Sequence, residues 1–142
     1  DIPNNIALYI GPSESSKKRI INLFSYTSID ALLQGKGPLL EWTFKADPQN
    51  KFVGIIDIFS DGSVFAISVP GHTTGSVAYL VRTPKGPVLL TGDTSHTRWG
   101  WEHTVEPGHF THDHSANLAS LQQLKALAKR HPYLEVRFGH QR

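Results

Sequence analysis

Three side chains able to hold a metal stand at the ends of apolar runs. His72 follows Val69-Pro70-Gly71 and precedes Thr73-Thr74-Gly75-Ser76. Asp93 follows Val88-Leu89-Leu90-Thr91-Gly92, and His140 follows Glu135-Val136-Arg137-Phe138-Gly139. The end of a buried strand holds a ligand rigidly and leaves room beside it for a substrate. Neutral imidazole nitrogen and carboxylate oxygen are donors that divalent cations such as zinc accept. Gly71 and Gly75 allow a tight turn that aims the His72 ring into a cavity. A carboxylate has two oxygens, so Asp93 can bridge two cations. Each residue also has a plainer reading: a turn histidine with its hydrogen bonds met, a turn or capping aspartate, and a loose histidine near the chain end.

Other histidines surround these three. His96 and His103 lie in the segment after Asp93 and are candidates to line a pocket, His96 being the better placed. The string His109-Phe110-Thr111-His112-Asp113-His114 offers a chelating pair in His112 and His114. It stands at a helix start, however, where loop and capping roles fit. Trp99, Trp101 and Phe110 read equally as pocket walls or as a small satellite core. No Gly-x-Ser-x-Gly elbow and no phosphate-binding glycine loop is present, so serine-triad and nucleotide chemistry have no local support.

Composition narrows the classes further. At 142 residues the chain is one domain or part of one, and its 39% hydrophobic share suffices for a packed core. The net charge is +2 and the cations are scattered, which gives no case for nucleic acid. The one basic run, Lys17-Lys18-Arg19, reads as a solvated helix face. Without cysteine there is neither a disulfide nor a thiolate site, so a metal must use His, Asp, Glu and water. The compartment stays open. No apolar stretch is long enough to span a membrane, and no signal peptide is visible. With Asp1 first and no methionine, the chain is expected to be a piece of a longer protein.

The elements that must position these side chains can be read from pattern. A short strand over 5–10 ends at Gly11-Pro12, and Ser13 to Ser16 supply caps for a helix through about Phe24. A weaker helical turn is expected over 28–33, then a strand over 39–44 and a turn at Asp47-Pro48-Gln49-Asn50. Asp61-Gly62 between the β-rich runs 52–59 and 63–69 predicts a hairpin. The runs 76–82 and 87–91, joined at Thr83-Pro84-Lys85-Gly86, predict a second. The segment 94–111 reads as a long irregular loop. Leu118, Leu121, Leu124, Leu127 and Ala128 recur at helical spacing, predicting an amphipathic helix over 113–130 that Asp113 or Thr111 caps and Pro132 stops. A last strand covers 134–138. The order of strands, loop, helix and strand fits an α/β layered domain.

From about Phe52 to His140 the chain resembles the C-terminal half of the metallo-β-lactamase superfamily, in particular its N-acyl homoserine lactonase-like branch. The residues that carry the likeness are Pro70-Gly71-His72-Thr73 with Gly75, then Gly92-Asp93, then Gly139-His140. The likeness implies an α/β fold, the αββα metallo-β-lactamase sandwich. Residues 1–142 would form a single partial domain, the C-terminal portion of that sandwich. It implies a site for two divalent metals, most often zinc, with His72 on the first, Asp93 bridging and His140 on the second. It implies hydrolysis of a small-molecule ester, lactone, thioester or amide by a water that two cations deprotonate. His96 stands where such lactonases often carry a tyrosine that assists the substrate oxygen. An imidazole there can donate a hydrogen bond, so Asp93 and His96 are the expected catalytic residues.

The family's first motif, His-x-His-x-Asp-His, does not occur in this sequence. The chain alone is therefore expected to hold an incomplete, inactive site. Half a sandwich also leaves apolar sheet surface bare, so association with the missing N-terminal segment or with a second copy is expected. The alternatives are a non-catalytic binding module, and a thioester hydrolase or iron-dependent oxidoreductase on the same scaffold.

Overall fold

The computed structural model describes residues 3, 6–15, 33–37, 39–49 and 51–140. They divide into two compact units, Asp1–Thr43 and Phe44–Arg142. In the first unit, β1 (Leu8–Ile10) pairs in parallel with β2 (Leu39–Glu41). Tyr9 stacks on Trp42 with ring centroids 4.2 Å apart. Ser13 to Ser15 form a turn whose backbone and hydroxyl donate to the Glu41 carboxylate. Beyond Ser15 the expected helix to Phe24 lies outside the described residues, as does the helical turn over 28–33 except for Leu33.

The second unit is built on an antiparallel meander. Its strands are β3 (Ile55–Asp57), β4 (Val64–Ser68), β5 (Val77–Thr83) and β6 (Gly86–Leu90), closed by β7 (Glu135–Arg137) in parallel with β6. Both predicted hairpins are present. At the first, Asp57 accepts from the Gly62 N–H and Asp61 from the Ser63 N–H, fixing the turn. Strand β3 is shorter than the apolar run suggests because the Asp47 carboxylate takes the N–H groups of Gln49, Lys51 and Phe52. Those donors would otherwise serve a ladder, and they hold the Asp47 carboxyl below its usual range, the Gln49 N–H contributing most.

The parallel β6–β7 pair requires a crossover. Here it contains a 3₁₀ turn (Gly92–Thr94), α1 (Arg98–His103) and α2 (His114–Arg130). The expected irregular loop thus holds a short helix. The Thr97 hydroxyl accepts the Gly100 N–H at its start, and Thr104 ends it in left-handed geometry with φ 58°. Lys125 of α2 donates to the carbonyls of Trp101 and Glu102, compensating the C-terminal end of α1.

Helix α2 begins as predicted, with Asp113 accepting the Ala116 N–H at 2.9 Å. It lays Leu124 and Leu127 on a row formed by Ile67, Ala78, Leu80, Leu89 and Val136, which are neighbours in register across the sheet. Each fully buried aliphatic side chain contributes about 1.5–3 kcal/mol. Leu118, expected in this stripe, is 36% exposed, while Asn117 and Ser120 are buried in its place. The stripe runs Asn117, Ser120, Leu121, Leu124, Leu127, and its polar end serves the site. The opposite sheet face carries half-buried Tyr79, Val81 and Val88 beside exposed Leu90. Among the described residues no helix is long and apolar enough to cross a membrane.

Candidate metal centre

Strand direction brings the candidate ligands together. Because β4–β5 and β5–β6 are antiparallel and β6–β7 is parallel, β4, β6 and β7 run the same way. Their C-terminal ends share one edge of the sheet, and His72, Asp93 and His140 each lie within four residues of such an end. His96 joins them from the segment just after the 3₁₀ turn.

The Asp93 carboxylate is the hub. Its Oδ2 lies 3.8 Å from His72 Nε2, and its Oδ1 lies 3.6 Å from His96 Nε2 and 3.2 Å from His140 Nε2. One carboxylate oxygen therefore faces His72 while the other faces His96 and His140. Ligand atoms of His72, Asp93 and His96 all fall within 4.8 Å of one another. The His96 ring is 5.3 Å from that of His72 and 4.0 Å from that of His140. Exposure grades across the group, from 15% for the His72 side chain to 61% for His140. The cluster thus has a closed inner wall and an open outer side.

Each turn is held by backbone and by buried polar groups. The His112 N–H donates to the His72 carbonyl and the Asp113 N–H to the Gly71 carbonyl, tying the His72 turn to the start of α2. The His72 N–H donates to Asn117 Oδ1 at 3.1 Å, and Asn117 Nδ2 donates to the Thr94 carbonyl at 3.2 Å. One buried amide therefore clamps the turns that carry His72 and Asp93. The Ser120 hydroxyl donates to the Pro70 carbonyl. On the other side the Gly139 and His140 N–H groups donate to the carbonyls of Ser95 and His96.

Two glycines are required by space. A Cβ on Gly71, whose φ is +144°, would lie 2.2 Å from the Asn117 nitrogen. A Cβ on Gly139 would lie 2.5 Å from Asp93 Oδ1.

The proton positions favour ligation. The Thr111 hydroxyl donates to the Pro107 carbonyl, so its oxygen is left to accept from His72 Nδ1, 3.4 Å away. That places the His72 proton on Nδ1 and the bare lone pair on Nε2, toward Asp93. Burial holds the His96 imidazole below its usual pKa, helped by His140 and His72 and opposed by Asp93. Its Nε2 is buried and has no hydrogen-bond partner. Three imidazoles around a carboxylate, one with an orphaned ring nitrogen, are a donor set that fits a divalent cation of the zinc type.

The structure brings all four expected site residues, His72, Asp93, His96 and His140, into one cluster. Of the other histidines, His103, a candidate to line a pocket, is instead exposed in the last turn of α1. His103 Nδ1 meets the Trp99 carbonyl, and His114 Nδ1 pairs with Glu106. Trp101 packs against the core, whereas Trp99 and Phe110 are exposed. Sequence reasoning missed Asn117, Ser120 and Thr111. The available signal was a polar pair at i, i+3 on the buried stripe of a leucine helix.

Known proteins resemble this chain in sequence and fold. The family profile of the metallo-beta-lactamase superfamily matches residues 17–140. N-acyl homoserine lactonase AttM of Azorhizobium caulinodans is 38% identical over 95 residues, 66% of this chain and 34% of that protein. Gamma-lactamase MBL2 of Gibberella moniliformis is 38% identical over 63 residues, 41% of this chain and 26% of that protein. A solved quorum-quenching N-acyl homoserine lactone hydrolase superposes with a TM-score of 0.67 at 21% identity, over 96% of this chain and 49% of that one. At that identity the superposition speaks for the fold: an α/β structure that corresponds to part of the metallo-β-lactamase sandwich. The chain spans about a third of the length of the curated relatives it matches. The match over residues 17–140, with the fold and the strand-end motifs, establishes that this chain belongs to the metallo-beta-lactamase superfamily.

Proposed function

We propose that this chain is the C-terminal part of a metal-dependent hydrolase that opens lactone or related ester bonds in small molecules. The carrying observation is the divided Asp93 carboxylate, with His72 on one oxygen and His96 and His140 on the other. His72, Asp93 and His140 would hold divalent metal there, zinc first among the candidates. When bound, such ions supply the acidity that makes water a nucleophile near neutral pH and polarise a carbonyl. Asp93 orients that water through its two oxygens. His96 and the more exposed His140 share the Oδ1 side of Asp93. The tie from Asn117 to both turns keeps His72 and Asp93 in fixed separation, which is what a reaction dependent on orientation needs.

The likeness to N-acyl homoserine lactonases supports a lactone as substrate, and the likeness to a gamma-lactamase supports a cyclic amide as second choice. The family match, running from 17 to 140, supports reading both units as parts of one partial domain. The greater length of the relatives supports a further segment as partner in the complete site. The test is hydrolysis of N-acyl homoserine lactones, followed by proton release, and of a γ-lactam, followed by chromatographic detection of the amino acid, each with zinc or a chelator present. It is done on the chain alone and with an added N-terminal half from a related lactonase. Zinc-dependent lactone opening in the combined sample is expected. No zinc-dependent turnover of either substrate in any sample refutes the reading.

A further inference from the structure

We infer that His96 is a metal ligand, and that His72, Asp93 and His96 hold one divalent ion with donors from this chain alone. The inference rests on the metal centre of the proposed function but not on the reaction proposed there. Two ligands about 2.1 Å from a tetrahedral ion stand about 3.4 Å apart. His72 Nε2 and His96 Nε2 lie 3.8 and 3.6 Å from the Asp93 oxygens, close to that separation, and ligand atoms of the three residues all fall within 4.8 Å of one another.

His96 has the strongest individual case. Its Nε2 is buried without a hydrogen-bond partner, a state that costs about 1–3 kcal/mol unless something fills it. The 3.6 Å to Asp93 Oδ1 is too long for a hydrogen bond and suits a bridging cation. Its backbone is fixed independently of any ion. The His96 carbonyl takes the His140 N–H, and the preceding Ser95 is buried with its hydroxyl on the Thr97 carbonyl. The ring is therefore placed by the frame and not by chance rotation of an exposed loop. His72, Asp93 and His96 give three donors from this chain, and water can take the fourth position of a tetrahedral ion.

Cobalt(II) titration of the 142-residue chain tests this, read by visible absorption for coordination geometry and by calorimetry for stoichiometry. One cobalt ion per chain with tetrahedral bands is expected. His96→Ala should weaken binding at least about tenfold, and His109→Ala, outside the cluster, should bind as the parent does. Long-range proton–nitrogen spectra of the unsubstituted chain read the same point: zinc should shift the His96 Nε2 resonance. Binding of His96→Ala within twofold of the parent, an unmoved His96 Nε2 resonance, or no cobalt bound by the parent each overturns the inference. If cobalt binds through His96 and no lactone or lactam is hydrolysed in any sample, the inference stands and the hydrolase reading falls. If lactone is hydrolysed with zinc while the His96 signal stays put, the reverse holds.

Discussion

Asn117→Ala is the most informative single change outside the ligand set. Asn117 is fully buried on the first turn of α2. Its side chain accepts from the His72 N–H and donates to the Thr94 carbonyl. Truncation leaves a backbone donor and a backbone acceptor unpaired in the interior, at about 1–3 kcal/mol each. The combined loss is about 2–6 kcal/mol, with a small cavity term in addition. Alanine is the better helix former, but that offsets at most about 0.7 kcal/mol. Against a domain stability of about 5–15 kcal/mol the loss is large. Urea unfolding of the metal-free chain should show the midpoint falling with little change in slope. Cobalt affinity should fall as well, because the turns carrying His72 and Asp93 lose their common clamp. Asn117→Asp keeps the acceptor, loses the donor and should fall between. A loss under about 0.5 kcal/mol, the range of an ordinary surface substitution, together with unchanged cobalt affinity would refute the clamp.

The remaining expectations concern the core, the glycine contact and pH. Leu124→Ala, at a fully buried position under the sheet, should cost about 2–5 kcal/mol in urea unfolding. Gly139→Ala should lower both cobalt affinity and the unfolding midpoint, since the added methyl meets the Asp93 carboxylate and the Gly92 backbone; an unchanged value of either would argue against these contacts. In metal-free chain His96 is held below its usual pKa, so the unfolded chain binds more protons between that lowered value and the ordinary imidazole value. Stability should therefore decline as pH falls through the ordinary imidazole range and level off below the lowered value. His96→Asn should flatten that part of the unfolding profile.

The ligand-bearing turns were legible because each joins a β-rich run to a glycine and a donor residue. Both hairpins were legible for a similar reason: Asp61-Gly62 and Pro84-Lys85-Gly86 leave the backbone few other courses. Helix α2 was legible in its ends but not in its buried stripe. Leucine spacing placed Leu118 inward, yet the helix turns Asn117 and Ser120 inward because they satisfy Pro70, His72 and Thr94. Such demands come from distant backbone, 45 residues away for His72 and 50 for Pro70, and leave no trace in local periodicity. Helix α1 was hidden for the opposite reason. It is a six-residue helix whose ends depend on Thr97, on left-handed Thr104 and on Lys125 reaching across from α2.

The hydrogen bonds that run directly between the ligand-bearing turns carry a consequence for change over time. Ser95 with Gly139 and His96 with His140 are joined through main-chain groups. Main-chain groups are indifferent to most substitutions. The scaffold's tolerance thus differs from place to place: residue 96 can exchange one side chain for another while its carbonyl goes on holding His140 in place. The glycines cannot, since Gly71 abuts Asn117 and Gly139 abuts Asp93. New chemistry at this edge of the sheet can therefore arise through single substitutions at position 96, on a frame that does not have to be rebuilt.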